Sequence, residues 1–158
     1  SGMINMEELQ SNFGFKDKLI DGSGGCGVDA DWLTPSDNTL WGNGITKGVY
    51  DPCPEGWRVP SKEELQVLAD KANIDGIWDN SDCNLSFSDS ELVFSENVGI
   101  LYMVAWNDIT TFPDKFSIWS YSVDNGTQGA FYFKRSGGSY ELSRAPRSSA
   151  IPVRCVQE

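Results

Sequence analysis

Histidine is missing from this 158-residue sequence. The absence removes the side chain that most often serves as a general base, as a catalytic zinc ligand or as a switch near neutral pH. No serine, Ser61 included, therefore has the partner that a Ser-His-Asp triad needs. Two carboxylates can hydrolyse glycosides without histidine, but nothing in the sequence singles out such a pair. The composition therefore favours a protein that binds over one that catalyses.

Long apolar runs and basic residues are also scarce. The longest apolar stretch, 98–106, contains Gly99 and is far shorter than the stretch of about 18 residues that a membrane helix needs. The chain has 23 acidic and 12 basic residues, a net charge of −11. Such a surface repels phosphate backbones and anionic lipids, so we expect neither nucleic acid as a partner nor direct insertion of this domain into a membrane.

What is present suffices for one folded core. Hydrophobic residues make up 39% of the chain, and it contains six tryptophans. The length is that of an ordinary domain, and no internal repeat, low-complexity tract or linker divides it. We therefore interpret residues 1–158 as a single domain. Ser1-Gly2 before Met3 looks like the remnant of a tag, so we expect the domain to be excised from a longer protein.

Four cysteines lie far apart, at positions 26, 53, 83 and 155. No pair has the Cys-x-x-Cys spacing of a zinc or thioredoxin-type site. An even number of widely spaced cysteines fits two disulfides, and disulfides persist in oxidising compartments outside the cytoplasm. Buried free thiols in a cytoplasmic protein are the alternative. Three pairings of the four cysteines are open at this point.

One helix is strongly indicated, over residues 61–72. Ser61 is a good N-cap, and Glu64 three residues later completes a capping box. The apolar residues that follow lie on one stripe at helical spacing: Leu65, Leu68, Ala69 and Ala72.

Short strands and turns are predicted for the rest of the chain. The strongest turn signal is Asn125-Gly126, and Gly137-Gly138 is another. The predicted strands cover residues 85–87, 92–94, 99–106, 116–123, 130–134, 139–144 and 153–156. One early helix followed by antiparallel strands and long loops indicates an α+β fold.

The most distinctive segment runs from Tyr50 to Pro60, where three prolines and a glycine surround Cys53. Together with Val153-Arg154-Cys155-Val156, this segment resembles the Fibrobacter succinogenes major paralogous domain family, which is common in surface proteins of gut and anaerobic bacteria. Further similarity to that family covers residues 31–35, 38–42 and 119–147 and extends the resemblance over nearly the whole chain.

A more distant similarity links residues 58–65, 137–140 and 153–155 to formylglycine-generating sulfatase-modifying enzymes. Those enzymes have a C-type-lectin-like fold, so the resemblance implies that fold here. It also implies that Cys53 pairs with Cys155 and, with that bond formed, that Cys26 pairs with Cys83. The reactive cysteines of those enzymes follow the Gly-Gly-Ser element, where this chain has none. The resemblance therefore implies the framework without the reactive site.

The resemblance implies a non-catalytic, extracytoplasmic module of a bacterial protein that is secreted or displayed at the cell surface, for example as a lipoprotein. We expect adhesion, with a glycan or a surface protein bound by loops on a rigid scaffold. A structural or terminal domain of a fimbria-like assembly without a small-molecule ligand is the alternative. A relative of the formylglycine enzymes with residual catalysis is the third hypothesis.

Ligand-binding residues are expected among exposed aromatic and carboxamide side chains, because sugar rings stack on aromatic faces. Aromatics on strands belong more often to the core, but Trp78 stands beyond the predicted helix among polar residues. The nominated residues are Trp78, Asp79, Asn80, Trp106 and Asn107.

Calcium is a possible ligand of two acidic clusters, because it binds six to eight oxygens. The clusters are Asp29, Asp31 and Asp37, and Asp79, Asn80 and Asp82. Neither has the spacing of an EF-hand, and Trp106-Asn107-Asp108 lacks the partner motif that it has in lectins. We therefore expect solvated surface charge and no cofactor.

Positive charge is concentrated near the C-terminus, where only Glu141 opposes five basic residues: Lys134, Arg135, Arg144, Arg147 and Arg154. A site for an anionic glycan is one interpretation. We favour the other, in which Arg144, Arg147 and Arg154 pair with carboxylates of the domain itself, because a planar guanidinium suits such pairing.

Overall fold

The computed structural model describes residues 37–44, 46–82, 84–94, 116–124, 129–147, 149 and 151–158, and the backbone alone at 102–105 and 108–111. These residues form one α-helix, α1 (Lys62–Asp75), and ten short strands. The strands are β1 (Trp57–Arg58), β2 (Gly76–Asp79), β3 (Asn84–Phe87), β4 (Ser90–Phe94), β5 (Tyr102–Ala105), β6 (Asp108–Thr111), β7 (Ser117–Val123), β8 (Gly129–Ser136), β9 (Ser139–Pro146) and β10 (Val156–Gln157). All their pairings are antiparallel, so the predicted α+β class is confirmed.

α1 begins where the sequence predicts and runs three residues past its predicted end. The Ser61 hydroxyl accepts from the Glu64 amide at 3.1 Å, and the Glu64 carboxylate accepts from the Ser61 amide at 2.8 Å, which confirms the capping box. The last turn continues because the Ala72 carbonyl still accepts a hydrogen bond from the Gly76 amide. The buried face consists of Leu65, Ala69 and Ala72, as the apolar stripe predicts.

The sheet β7–β8–β9 carries α1 on one face, and the main core lies between them. Phe133 in β8 is completely buried there. Its ring stacks on Tyr140 with centroids 5.7 Å apart and meets Phe116 edge-on at 5.3 Å. Aromatic burial of this kind removes large apolar areas from water, and Leu65, Ala69 and Ala72 of α1 belong to the same buried cluster.

A second sheet, β2–β3–β4, follows the helix directly. Trp78, Leu85 and Phe94 form one cross-strand row that packs into the main core, because successive residues of a strand alternate between faces. β3 and β4 confirm the strands predicted at 85–87 and 92–94. β2 was not predicted from the sequence. Four residues at the end of a helix are too few for the alternation of buried and exposed side chains in a strand to be recognised.

The remaining strands agree with the sequence in part. β7, β8 and β9 confirm three predicted strands and extend two of them. β5 lies inside the predicted segment 99–106 and pairs with β6, which the sequence did not predict. The strand predicted at 153–156 is reduced to β10, which pairs with β1.

The disulfide between Cys53 and Cys155 is present and joins residues separated by 102 positions. It confirms the pairing that the resemblance implies, and it holds β1 and β10 together at the end of the chain. Cys26 and Cys83 lie outside the described residues, so their bond stays a prediction, as does the likeness to C-type lectins. Among the described residues, no helix has the length and apolar character to cross a bilayer.

Candidate functional site

A loop before the disulfide reverses the chain between Gly42 and Lys47. These two residues form an isolated antiparallel bridge, and Gly42 has a φ of 101°. A Cβ on Gly42 would lie 2.3 Å from the Thr46 carbonyl oxygen, so only glycine permits this reversal. At the start of the loop the Asp37 carboxylate accepts from the amide and the hydroxyl of Thr39, at 2.8 and 2.7 Å.

Lys47 ties this loop to the segment that carries Cys53. Its ammonium donates to the carbonyl oxygens of Cys53, Pro54 and Trp57, the last two at 2.8 and 2.7 Å. The buried carboxylate of Asp51 lies 3.7 Å from the ammonium and accepts from the Cys53 amide at 2.8 Å. An ammonium has three donors, so the three carbonyls use all of them. The irregular proline-rich path is thus held together by one cation.

β7 leaves its register with β8 between Trp119 and Val123. The Tyr121 amide donates to the Pro60 carbonyl and the Trp119 amide to the Pro152 carbonyl, both at 2.9 Å. β7 therefore bonds to β8 along one edge. Along its other edge it bonds to Pro60, which follows Cys53 in the chain, and to Pro152, which precedes Cys155. The Trp119–Tyr121 segment lies beside the loop at 37–44.

The loop, β7 and β8 enclose a depression of about 450 Å³, its open mouth included, which we call the aromatic pocket. Apolar and aromatic side chains form most of its walls, as is usual for small-molecule sites. The lining residues are Asp37, Asn38, Leu40, Trp41, Trp119, Ser120, Tyr121, Val123, Ala130 and Arg147.

The floor of the aromatic pocket is a second, smaller core. Trp119 is only 4% exposed and meets Tyr132 edge-on, with ring centroids 5.9 Å apart. Ile151 belongs to the same cluster, and the half-buried Trp41 and Val153 pack against it. The residues just before Cys155 therefore support the pocket directly.

The polar rim of the aromatic pocket combines one acid, one base and one amide. Arg147 donates to the Asp37 carbonyl at 3.1 Å and to the Asn38 side-chain oxygen at 2.9 Å. The hydrogen bonds from Thr39 hold the pKa of the Asp37 carboxyl below its usual value. Within the described part of the chain, the Asn38 amide nitrogen has no hydrogen-bond acceptor, so it is available to a ligand. The rim is close to electrically neutral in a protein of charge −11.

A second, smaller and shallow depression of about 200 Å³, open solvent included, shares Trp41 and Tyr121 with the aromatic pocket. We call it the polar pocket. Its other lining residues are Gly44, Thr46, Lys47, Arg58 and Glu158.

The arginine of the polar pocket already has an internal partner. Arg58 forms two hydrogen bonds of 2.8 Å with the Glu64 carboxylate. These bonds lower the pKa of Glu64 to about 2, and the capping contacts with Ser61 add to the effect. Arg58 is thus paired with Glu64, and the Lys47 ammonium is bonded to three backbone carbonyls. Because both cations already have internal partners, neither is left to bind an anion.

The structure places the nominated Trp78, Asp79 and Asn80 in and after β2, apart from the aromatic pocket. The Trp78 ring meets Phe116 edge-on at 6.0 Å, and the Arg135 guanidinium lies 4.7 Å from its centroid. Its indole N–H donates to the Asn80 side chain at 2.9 Å. Trp78 is therefore a member of the main core, and ligand binding by these three residues stays a prediction.

The other nominated residues, Trp106 and Asn107, lie outside the described residues, as do Asp29 and Asp31 of one acidic cluster. In the described ranges, no three carboxylates or thiols come close enough to hold a metal ion. Asp79 instead accepts from the Ser81 amide at 2.7 Å. The expectation that these acidic clusters are solvated surface charge without a cofactor stays a prediction.

The basic residues near the C-terminus use several kinds of partner. Arg144 pairs with the Asp124 carboxylate, which agrees with the favoured interpretation, and Lys134 pairs with Glu141 at 3.2 Å. Arg154 instead lies over the Phe94 ring, 5.4 Å from its centroid. Arg147, described above, uses a carbonyl and an amide.

The sequence did not identify the aromatic pocket. Trp119 and Tyr121 lie in the strand predicted at 116–123, where aromatic residues were expected in the core. Backbone hydrogen bonds join β7 to residues 60 and 152, and the loop at 37–44 packs beside the same segment. Those bonds cross about 60 and 30 positions of sequence and leave no local pattern.

Comparison with protein-family models, with curated proteins and with solved structures finds no match. The aromatic pocket and the disulfide therefore carry the functional interpretation by themselves.

Proposed function

We propose that this domain is a non-catalytic binding module of an extracytoplasmic bacterial protein, secreted or held at the cell surface, and that it binds a glycan in the aromatic pocket. The observation that carries the proposal is the meeting of Trp41, Trp119 and Tyr121 around one depression with an amide at its rim. Sugar rings have apolar C–H faces that pack on aromatic side chains and hydroxyls that pair with amides.

The scaffold supports binding better than catalysis. Among the described residues that line the aromatic pocket there is no histidine, no cysteine and no pair of carboxylates, since Asp37 is the one acid of that set. Asp37 is engaged with Thr39, and its pKa is lowered, which is opposite to the raised pKa of a general acid. The Cys53–Cys155 bond supports a location outside the cytoplasm, where disulfides persist.

A glycan array probed with the purified domain tests the proposal. Two variants report on the pocket: Trp41→Ala removes an aromatic wall, and Asn38→Ala removes the exposed amide. Trp57→Ala is the matched control, because Trp57 is 42% exposed and does not line the aromatic pocket. Circular dichroism and thermal melting confirm that each variant is folded.

We expect wild type and Trp57→Ala to bind the same glycans, and both pocket variants to lose that binding. An array on which wild type binds no glycan contradicts the proposal. So does glycan binding that survives in both pocket variants, because the ligand would then lie elsewhere. Binding to immobilised surface proteins but to no glycan would favour a protein ligand instead.

A further inference from the structure

We infer that the ligand is a neutral oligosaccharide that extends from the aromatic pocket into the polar pocket, so that two or more sugar rings are recognised. The inference rests on the proposed function and adds to it the length and the charge of the glycan. Its basis is that the two depressions share the side chains of Trp41 and Tyr121 and therefore adjoin.

Tyr121 stands between the two pockets with its hydroxyl free. No described residue forms a hydrogen bond with that hydroxyl, although the Tyr121 amide is bonded to Pro60. A Cβ on Gly44 would lie 2.2 Å from the Tyr121 oxygen, so the absence of a side chain at position 44 makes room for the hydroxyl at this point. A phenol between two depressions can pack on one ring and donate to the next.

The charges around the two pockets favour a neutral ligand. Lys47 is satisfied by three carbonyls, Arg58 by Glu64, and Arg147 by groups of the 37–38 segment. An anionic sugar would have to displace one of these internal bonds while approaching a protein of charge −11. Three uncharged groups are left for a ligand, namely the Asn38 amide, the Tyr121 hydroxyl and the exposed Thr46 hydroxyl, and the carboxylate of Glu158 at the polar pocket adds to the repulsion of an anion.

Calorimetric titration with oligosaccharide ladders tests the inference. The probes are ladders of one to six rings from four neutral polysaccharides, namely cellulose, chitin, xylan and mannan, with a polygalacturonate ladder as the anionic comparison. We expect one neutral ladder to bind about tenfold more tightly at two or three rings than at one, the effect of one or two added hydrogen bonds. We expect the anionic ladder to bind more weakly at every length.

Variants assign the gain to the polar pocket. Thr46→Val keeps the side-chain shape without the hydroxyl, and Tyr121→Phe keeps the ring. Both are expected to remove the gain with length. Thr46→Val, which lies outside the aromatic pocket, is expected to leave the affinity for one ring unchanged, whereas Asn38→Ala weakens all lengths equally. Tyr50→Phe, at an exposed tyrosine that lines neither pocket, is the control for loss of a hydroxyl.

The outcomes separate the two proposals. If neutral sugars bind equally tightly at all lengths, the polar pocket is not a second binding site. That result is still consistent with a glycan-binding module. Tighter binding of the polygalacturonate ladder contradicts neutrality. A gain with length that persists in both Thr46→Val and Tyr121→Phe contradicts the polar pocket as the second site. If no ladder binds at any length, the proposed function fails and this inference fails with it.

Discussion

Asn73 in α1 and Tyr140 in β9 exchange two hydrogen bonds of 2.8 Å: the Asn73 amide nitrogen donates to the Tyr140 carbonyl, and the Tyr140 amide donates to the Asn73 side-chain oxygen. A carboxamide reproduces the donor–acceptor pair of a neighbouring strand. The helix thus completes the bonding of a backbone position in β9 and fixes how α1 lies on the sheet.

Replacing Asn73 with alanine is expected to lower the free energy of unfolding by about 1–3 kcal/mol, because two partly buried backbone groups lose their partner. Gln66→Ala is the control, since Gln66 bonds only to the exposed side chain of Asp70 on the same helix. Urea denaturation measures both variants. Equal stabilities of Asn73→Ala and Gln66→Ala would show that the Tyr140 contact contributes nothing.

Lys47→Met is expected to destabilise the domain by about 1.5–3 kcal/mol, the range for hydrogen bonds to charged groups. Methionine keeps much of the chain length but leaves three carbonyls and the buried Asp51 without the ammonium. Lys62→Met, at a lysine whose carboxylate partner Glu63 is 3.8 Å away and exposed, is the matched control and is expected to cost less than about 1 kcal/mol. Denaturation curves that show the same loss for both variants would contradict the role given to Lys47.

Lys47→Arg is expected to recover only part of the loss at position 47. The planar guanidinium presents its donors as a flat fork, whereas the carbonyls of Cys53, Pro54 and Trp57 converge on one nitrogen. Full recovery in the same denaturation experiment would mean that positive charge alone, without the geometry of an ammonium, holds the loop.

Acid stability depends on Glu64. Its pKa in the folded protein is about 2, below the ordinary value of 4.5, so the Arg58–Glu64 contact stabilises the folded state fully above about pH 4.5 and loses its effect as the pH falls towards 2. Because Glu64 is partly exposed, solvent screening reduces the contribution of the Arg58–Glu64 contact to the free energy of unfolding to about 1 kcal/mol. We expect the stability advantage of wild type over Glu64→Gln to be constant near neutral pH and to shrink between pH 4.5 and 2.

Thermal melts at a series of pH values measure this difference. Glu63→Gln, which changes the neighbouring glutamate on the exposed side of the same turn, is expected to show no such dependence. An advantage of wild type over Glu64→Gln that grows as the pH falls would have the wrong sign for a carboxylate with a lowered pKa.

Trp78→Ala is expected to cost about 3 kcal/mol or more, because the indole packs against Phe116 and the main core. Trp57→Ala, at the exposed tryptophan of β1, is expected to cost clearly less. Calorimetric melting temperatures compare the two variants. A stable Trp78→Ala protein that loses glycan binding would instead make Trp78 a ligand contact and weaken the assignment of the site to the aromatic pocket.

Local chemistry made much of the fold predictable from the sequence. The capping box at Ser61 and Glu64 acts within four residues, and the turn at Gly137-Gly138 joins adjacent strands, so each has a local signature. β2 escaped prediction because its alternation is brief. The Cys53–Cys155 pairing came from resemblance and not from spacing, which left three pairings open.

The aromatic pocket was beyond sequence-based prediction for a different reason. Its members Trp41, Trp119 and Arg147 are brought together by contacts between segments that are distant in the sequence. Such contacts have no period along the chain. The sequence singled out Trp78 because it follows the helix among polar residues, and only the tertiary structure shows that Trp119 borders a depression.

Hydrogen–deuterium exchange with the disulfide intact and removed measures how far the aromatic pocket depends on the Cys53–Cys155 bond. Removing the bond by Cys53→Ala with Cys155→Ala is expected to cost about 4–5 kcal/mol in the chain-entropy model, since it closes 102 positions. We predict that amides at 37–50 and 151–158 lose protection while α1, β8 and β9 keep theirs. Unchanged protection at 37–50 and 151–158, or equal loss throughout the domain, would contradict a pocket held in place by this bond.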